Sequence, residues 1–240
     1  MKKIFHSFII LCCLLVANIA NATLWNRGGG LVYDDVLDIT WLQNTNLGAG
    51  SLYDNGDSAT DGRMTWSNAV AWAENLVYYD STRGVYLDNW RLPNIEPVNG
   101  LSWNPSFSYD GSTDFSFNIL SENSEMAYMY HSNLGNLSYY DLQGNTQDNY
   151  GLKNTYIFQE LQPYAYWSSV WGSADEGWGG APLGFHFENG LQDEGYKGNQ
   201  NYAWAVRDGD VSPVPEPATI YLLGSAILGL AGVRRKLRNS

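Results

Sequence analysis

The sequence contains little cysteine. Its two cysteines, Cys12 and Cys13, are adjacent and lie close to the start of the chain. If they are removed with an N-terminal leader, the remaining chain has no disulfide, no thiol nucleophile and no cysteine-ligated metal. Packing and hydrogen bonds must then stabilise the fold.

Basic residues are also scarce, with 13 Lys and Arg against 25 Asp and Glu and a formal net charge of −12. Between residues 23 and 215 there are 7 Lys and Arg and 24 Asp and Glu, so this body carries a formal charge of −17. Such a field repels nucleic acid and anionic membrane surfaces but not cations or neutral sugars. We therefore expect no nucleic-acid partner.

Histidine is rare, and neither His131 nor His186 lies in a metal-binding pair or beside a nucleophile motif. The body therefore shows no motif for a hydrolytic triad or for a zinc site. Acidic pairs at 175–176 and 193–194 flank the segment 178–190, and paired carboxylates can hydrolyse glycosides. Close pairs are, however, expected by chance in so acidic a chain. We predict that the protein is not an enzyme and keep glycoside hydrolysis as the remote alternative.

The first residues have the order of a secretory signal. Lys2 and Lys3 precede an apolar run over residues 4–19, and Ala20 and Ala22 place small residues at the spacing of a cleavage site. This order predicts a signal peptide over residues 1–22 that signal peptidase removes.

The C-terminal residues have the order of a membrane anchor with a stop. An uncharged run from Ala218 to Val233 follows Pro215-Glu216-Pro217 and precedes Arg234-Arg235-Lys236. As a helix the run would reach about 24 Å, short of the roughly 30 Å hydrocarbon core, so it is a marginal span. The basic cluster predicts a cytoplasmic C-terminus. The alternative is an ordinary core helix, which would normally carry a polar face.

This order resembles a PEP-CTERM sorting signal. The resemblance implies a sorting segment over residues 212–240, with a transmembrane helix over 218–233, and an exosortase that cuts near Pro215-Glu216-Pro217. Arg234 and Arg235 complete the signal. The body would then be held briefly by the inner membrane before it reaches the cell surface or the extracellular matrix.

Between these ends, the pattern predicts early and late strands around two helices. The expected strands are 31–33, 39–42, 156–158, 164–170, 184–187 and 202–207. The first two are expected to form an opening hairpin, and a second hairpin turn is expected at 188–190. Thr65 caps a predicted helix that runs to about residue 78, and Ser121 or Ser124 starts a second helix that Gly135 ends. Residues 44–62 are expected to form a loop and 94–119 an excursion from the core.

Five short motifs within the body carry a second resemblance. They are Ile39-Thr40-Trp41-Leu42, Met64-Thr65-Trp66, Trp90-Arg91-Leu92-Pro93, Tyr166-Trp167-Ser168-Ser169 and Ala203-Trp204-Ala205-Val206-Arg207. In this order and spacing, residues 31–211 resemble the Lcl C-terminal domain family. The resemblance implies one α+β domain at 23–211 with a C-type-lectin-like fold, in which two helices flank a small mixed or antiparallel sheet and long loops carry any binding site. For Trp90 and Arg91 we expect a core ring and an arginine paired with a loop acid.

The body combines ten tryptophans with many acidic and amide side chains. Sugar faces stack on aromatic rings, and sugar hydroxyls bond to carboxylates and amides. The family resemblance implies glycan binding, although the acidic body argues against a sulfated glycan. We therefore predict a saccharide or exopolysaccharide ligand, held by aromatic and acidic residues of the late loops. The candidates are Trp171, Asp175, Glu176, Trp178, Asp193 and Glu194.

Two alternatives remain open at this stage. Most of the aromatic side chains can simply fill the core, and the protein can be a structural component of the matrix that binds no ligand. We predict no cofactor, with Ca²⁺ as the one candidate because Asp54, Asp57 and Asp61 crowd one loop. Their spacing does not match an EF-hand, so solvated loop acids are the alternative interpretation.

Overall fold

A computed structural model describes residues 24–211, which are mostly β with two short helices. The strands are β1 (Leu24–Gly28), β2 (Leu31–Asp34), β3 (Ile39–Leu42), β4 (Arg63–Met64), β5 (Tyr78–Asp80), β6 (Val85–Leu87), β7 (Phe107–Ser108), β8 (Phe115–Phe117), β9 (Ala165–Gly172), β10 (Ala181–His186), β11 (Leu191–Glu194), β12 (Asn201–Tyr202) and β13 (Val206–Asp208). The helices are α1 (Trp66–Glu74) and α2 (Glu125–Tyr128), and α2 continues as a π-helical turn, Met129–Asn133.

The predicted signal peptide and the predicted membrane helix lie outside the described residues. The same holds for the processing and sorting residues Ala20, Ala22, Pro215, Glu216, Pro217, Arg234 and Arg235. From residue 24 to residue 211, no helix is both long enough and apolar enough to cross a bilayer.

Within residues 24–211 the strands form three sheets. A four-stranded sheet has the order β1-β2-β3-β13, and β5 and β6 form a separate hairpin. The third sheet has seven strands in the order β4-β12-β9-β10-β11-β8-β7, so it is larger than the small sheet that the lectin resemblance implies. In this sheet β12 runs parallel to β9 and β7 runs parallel to β8, whereas the other pairs are antiparallel.

Two predicted hairpins are confirmed. Strands β2 and β3 pair antiparallel at the start of the chain, and β10 pairs with β11 across the turn 187–190. Gly190 closes this second turn with a φ of 79°, a conformation that glycine adopts without steric cost. An added Cβ there would lie 2.6 Å from the Ser138 hydroxyl oxygen, so the position also has no room for a side chain.

The predicted closing strand 202–207 divides into two strands. Strand β12 joins the seven-stranded sheet and β13 joins the four-stranded sheet, while Ala203, Trp204 and Ala205 carry the chain between them. Trp204 is fully buried, and its ring centroid lies 4.4 Å from that of Trp41. Its indole N–H donates to the Leu42 carbonyl at 2.7 Å. The last motif of the Lcl resemblance is therefore a crossing between sheets rather than one strand.

The predicted strand at 156–158 is wrong. These residues form a turn, and Tyr156 has a φ of 49° that is incompatible with a strand. Phe158 is buried with its ring centroid 4.8 Å from that of Trp204. Core packing of this one ring therefore prevails over the β propensity of the triplet.

Both predicted helices exist, with shorter bounds than expected. Thr65 occupies the N-cap of α1 but makes no side-chain cap hydrogen bond. The helix ends at Glu74 instead of near residue 78 because Tyr78 begins β5. The second helix starts after Ser124, and Gly135 follows its π-helical turn with a φ of 66°. Its apolar residues are buried as core residues, namely Met126, Met129, Tyr130 and Leu134.

Trp90 is a core residue as expected, whereas Arg91 pairs with a different kind of acid from the one expected. Trp90 is buried, and the Arg91 guanidinium bonds both oxygens of Glu125 at 2.8 Å. Glu125 is the first residue of α2 and not a loop acid. Arg91 also contacts Asp208 of β13 at 2.6 Å, so one side chain connects α2 to the four-stranded sheet.

The Trp204→Phe substitution tests the crossing between the sheets. It keeps an aromatic ring but leaves the buried Leu42 carbonyl without its donor, which should lower the free energy of unfolding by about 1–3 kcal/mol. Trp25→Phe is the matched control, because that indole is 47% exposed and donates to Asp35 at the surface. We expect a change within about 0.5 kcal/mol for the control. Equal effects in chemical denaturation would contradict this role of Trp204.

Candidate functional site

The structure separates the six residues predicted to bind a ligand. Asp175 and Glu176 lie on a 3₁₀ turn and line a shallow groove with Trp103. Asp193 and Glu194 end β11 and line a different, larger cleft. The two predicted tryptophans line neither the groove nor the cleft. The predicted surface is therefore not one continuous site.

Trp178, one of the predicted ligand-binding residues, is a core residue. It is 5% exposed and packs with Ile95 and Leu183 in a second apolar cluster. In the turn that follows Trp178, the Gly179 backbone N–H donates to the Glu194 carboxylate at 2.6 Å. Trp171 is 40% exposed, and its ring contacts that of Trp66 edge-on at 5.4 Å between centroids.

The larger cleft lies on one face of the seven-stranded sheet and has a volume of about 630 Å³. Because side chains alternate along a strand, Trp167, Gly184 and Asp193, which are paired across β9, β10 and β11, share this face. The opposite face carries Tyr166 and Phe185 into the main core. Gly184 leaves the floor of the cleft open, and an added Cβ there would lie 2.8 Å from the Tyr166 carbonyl oxygen.

One wall of the cleft is a histidine held between two carboxylates. His186 Nδ1 lies 2.7 Å from Glu188 Oε1, and His186 Nε2 lies 3.0 Å from Asp193 Oδ1. Burial alone lowers the pKa of this imidazole, but the hydrogen bonds to Asp193 and Glu188 outweigh burial and raise the pKa to about 10. His186 is therefore an imidazolium at neutral pH and donates to both carboxylates.

The second wall combines an arginine with an aromatic ring. The Arg63 guanidinium pairs with Asp57 and with Asp61, and it lies 5.5 Å from the centroid of the Tyr164 ring. The hydrogen bond to Asp57 is the main reason that the pKa of Arg63 is raised above its usual value. Tyr164 is 41% exposed, so part of its ring remains accessible from solvent.

The third wall is the loop that joins β11 to β12. Its backbone returns over the floor, because a Cβ at Gly195 would lie 2.8 Å from the Trp167 ring and the Gly195 N–H donates to the Pro182 carbonyl at 2.7 Å. Tyr196 on this loop is 72% exposed at the cleft. The Gln200 amide fixes the far end of the loop by donating to the Asn55 carbonyl at 2.6 Å.

The three acids predicted as calcium ligands have other partners. Asp57 and Asp61 both pair with Arg63. One oxygen of Asp54 accepts the backbone N–H groups of Gly50 and Gly62 at 2.8 and 3.0 Å. Across residues 24–211, histidine, cysteine and acidic side chains form no group of three or more that could hold a metal ion. The loop acids thus stabilise their own loop and orient Arg63.

Comparison with known proteins finds a sorting motif in the C-terminal segment of the chain. Residues 213–236 match the PEP-CTERM protein-sorting motif. The motif implies an exported protein that an exosortase processes and that is sorted to the cell surface, as the sequence predicts. No curated protein and no solved structure matches the chain. The Lcl resemblance of the body therefore stays a prediction.

Sequence reasoning named three residues that line the cleft: Asp193 and Glu194 as ligand-binding candidates, and Asp57 as a calcium candidate. The strand order brings the others together from distant parts of the chain, and the sequence shows no sign of that order. His186 could have been found, because the turn at 188–190 was predicted. Period-two alternation across that turn places His186 and Asp193 on one face of the hairpin as diagonal neighbours.

Titration of the two histidines tests the geometry of the cleft wall. We expect the His186 ring to stay protonated through neutral pH, with a pKa of about 10, whereas burial lowers the pKa of His131 to about 4. NMR titration of the ring protons measures both values in one sample. A His186 that titrates near the usual value of about 6.5 would show that the contacts with Glu188 and Asp193 are not formed.

The same contacts make stability depend on pH. Because the folded pKa of His186 is raised, its contribution to the free energy of unfolding is complete below about pH 6.5 and is lost as the pH rises to about 10. The difference in free energy of unfolding between the wild type and His186→Gln should therefore shrink over that range. Denaturant titrations at several pH values measure the difference, and a constant difference would contradict the ion pairs.

Proposed function

We propose that the exported body is a lectin-like domain that binds a saccharide in the cleft over β9, β10 and β11. The observation that carries this proposal is the accessibility of two rings, Tyr164 and Tyr196, beside carboxylate and amide side chains in one open cleft. Sugars present apolar faces that stack on such rings and hydroxyls that bond to such polar groups.

The size of the cleft supports a small ligand or a short part of a long one. Its volume of about 630 Å³ falls within the usual range for sites that bind small molecules. Its floor is a rigid sheet, whereas its outer wall is a loop. Such a site suits a few sugar units of a longer chain that passes over the surface, as an exopolysaccharide would supply to a protein sorted to the cell surface.

The proposed activity is binding without catalysis. Glycoside hydrolysis requires a protonated acid on one side of the scissile bond and a free carboxylate on the other. In the cleft, Asp57 pairs with Arg63, both Glu188 and Asp193 pair with His186, and Glu194 accepts a backbone N–H. Because each of these carboxylates already has a partner, the arrangement supports recognition of a ligand rather than acid catalysis.

Substitution of the exposed rings tests the binding proposal. Tyr196→Ala and Tyr164→Ala should each weaken saccharide binding about tenfold, since each removes a stacking surface worth roughly 1.4 kcal/mol. Calorimetric titration with the oligosaccharide that a glycan array selects measures the dissociation constant.

Tyr86→Ala is the matched control, because Tyr86 is 73% exposed on the separate β5–β6 hairpin. It should leave the dissociation constant unchanged. Trp171→Ala serves as a second comparison, since this ring lies outside the cleft. Absence of binding across a broad glycan panel would instead favour a structural matrix component without a ligand. A loss of binding confined to Trp171→Ala would place the site elsewhere.

Processing at both ends is tested by the mass of the protein recovered from the cell surface. We expect a polypeptide that starts after Ala22 and ends near Pro215, because the PEP-CTERM motif implies exosortase processing and the first residues predict a signal peptide. The Glu216→Ala variant, which alters the Pro-Glu-Pro sequence, should keep its tail and remain with the membrane fraction. A full-length protein in the cytosol would contradict the export route.

A further inference from the structure

An apolar patch lies on the outer face of the β5–β6 hairpin. Tyr79 and Tyr86 are paired across the two strands, and their ring centroids lie 5.0 Å apart. The rings are 52% and 73% exposed, and Val77, which directly precedes β5, is 61% exposed. These three side chains, which we call the hairpin patch, form an exposed apolar surface on a strongly acidic body. A surface of this kind is a candidate for contact with a partner.

The opposite face of the hairpin is fixed on the four-stranded sheet. Side chains alternate along a strand, so Tyr78 and Asp80 point away from the hairpin patch. The Tyr78 hydroxyl donates to the Gly29 carbonyl at 2.7 Å, and the buried Asp80 pairs with Arg83 at 2.7 Å. The Arg83 guanidinium also donates to the Arg27 carbonyl of β1 at 3.0 Å. These bonds hold the hairpin patch in one orientation relative to the sheet.

The described chain ends beside this hairpin. Both carboxylate oxygens of Asp210 accept hydrogen bonds from Arg27, whose backbone carbonyl accepts the bond from the hairpin. Val211 is buried and is the last described residue. Only residues 212–217 separate it from the apolar run 218–233 that is predicted to enter the membrane. Fully extended, this connection spans at most about 25 Å. While the tail is in the membrane, this end of the body is therefore held within that distance of the bilayer.

Tyrosine suits the boundary between lipid and water. Its ring is apolar and its hydroxyl is polar, so tyrosine rings collect at the headgroup level of membranes. Two rings and a valine make only a weak contact, but a short tether raises the effective concentration of the patch to about the millimolar range. The acidic body, with Asp88 exposed just after β6, is repelled by anionic headgroups. The surface that fits the patch is therefore a zwitterionic one.

We propose that the hairpin patch docks on a zwitterionic lipid surface while the body is attached to its tail, and that the body leaves the membrane once the tail is removed. Tyr79 and Tyr86 make the contact. Docking keeps residues 212–217, which precede the apolar run, close to the bilayer until processing is complete. This inference does not depend on saccharide binding, because the cleft lies on the seven-stranded sheet.

Fluorescent labels on single cysteines test the docking. The chain from residue 23 onward contains no cysteine, so one thiol can be placed at will. Ser81→Cys places it in the β5–β6 turn, and Ser106→Cys places it beside β7, the outer strand of the large sheet. Both serines are exposed. Each labelled chain, without its leader but with its tail, is reconstituted in phosphatidylcholine vesicles and recovered by flotation. We expect the label in the turn to shift to shorter wavelength and to be quenched by brominated acyl chains, whereas the label beside β7 should show neither change.

Removal of the rings locates the contact. In the Ser81→Cys background, Tyr79→Ser combined with Tyr86→Ser should lower the ratio of docked to undocked body about tenfold, because both interfacial rings are lost. Tyr86→Ser alone, which keeps one ring, should have an intermediate effect. Leu142→Ser is the matched control, since it removes an apolar side chain that is 57% exposed on the loop packed against Tyr109. It should leave the quenching unchanged.

Several outcomes would overturn the proposal. Equal quenching of the two labels would show that the body has no preferred face toward the lipid, and an unquenched label in the turn would show that the hairpin does not dock. Stronger docking when anionic phosphatidylglycerol is added would contradict a zwitterionic partner. Processed protein that stays bound to the vesicles would contradict release. Failure of the tailed chain to float with the vesicles would remove the tether and overturn the proposal as well. None of these results decides whether the cleft binds a saccharide.

Discussion

The segment from β12 to β13 is the constraint on which the rest of the fold depends. Within eight residues it contributes a strand to each of the two larger sheets, so neither sheet can shift without the other. Trp204 fills the crossing by packing on Trp41 and donating to the Leu42 carbonyl, and the Leu42 N–H returns a bond to the Ala205 carbonyl. The described part of the chain has no cysteine, so these buried contacts, and not a disulfide, hold the two sheets together.

The cleft is a consequence of this crossing. Tyr202 of β12 pairs in parallel with Tyr166 of β9 and in antiparallel with Arg63 of β4. This pairing places Arg63 near Tyr164, which directly precedes β9, and on the same sheet as His186 of β10. The return loop then brings Tyr196 to the third side. Residues more than a hundred positions apart thus meet over one sheet face, and their charges are held by pairing: Asp57 with Arg63, and His186 with its two carboxylates.

Local signals in the sequence predicted local structure well. Turn residues placed the hairpin around 188–190, and Ser124 and Gly135 marked the ends of the second helix, because these effects act within a few residues. Prediction failed where tertiary packing decides the conformation. Phe158 turns into the core instead of extending a strand, and Trp178 is buried against Ile95 and Leu183. Most of the cleft was missed for the same reason, since sheet order depends on the crossing at Trp204 and not on any local pattern.

The central claim is that the charged, ring-lined face of the large sheet is where an exported surface protein meets its saccharide. It is tested most directly by NMR mapping of the processed protein during titration with soluble exopolysaccharide from the producing cells. The account predicts shift changes concentrated at the Tyr164 ring, the His186 ring and the backbone of residues 194–201, with the β5–β6 hairpin unchanged. Changes confined to the groove at Trp103 and Asp175, or no change at saturating polysaccharide, would contradict it.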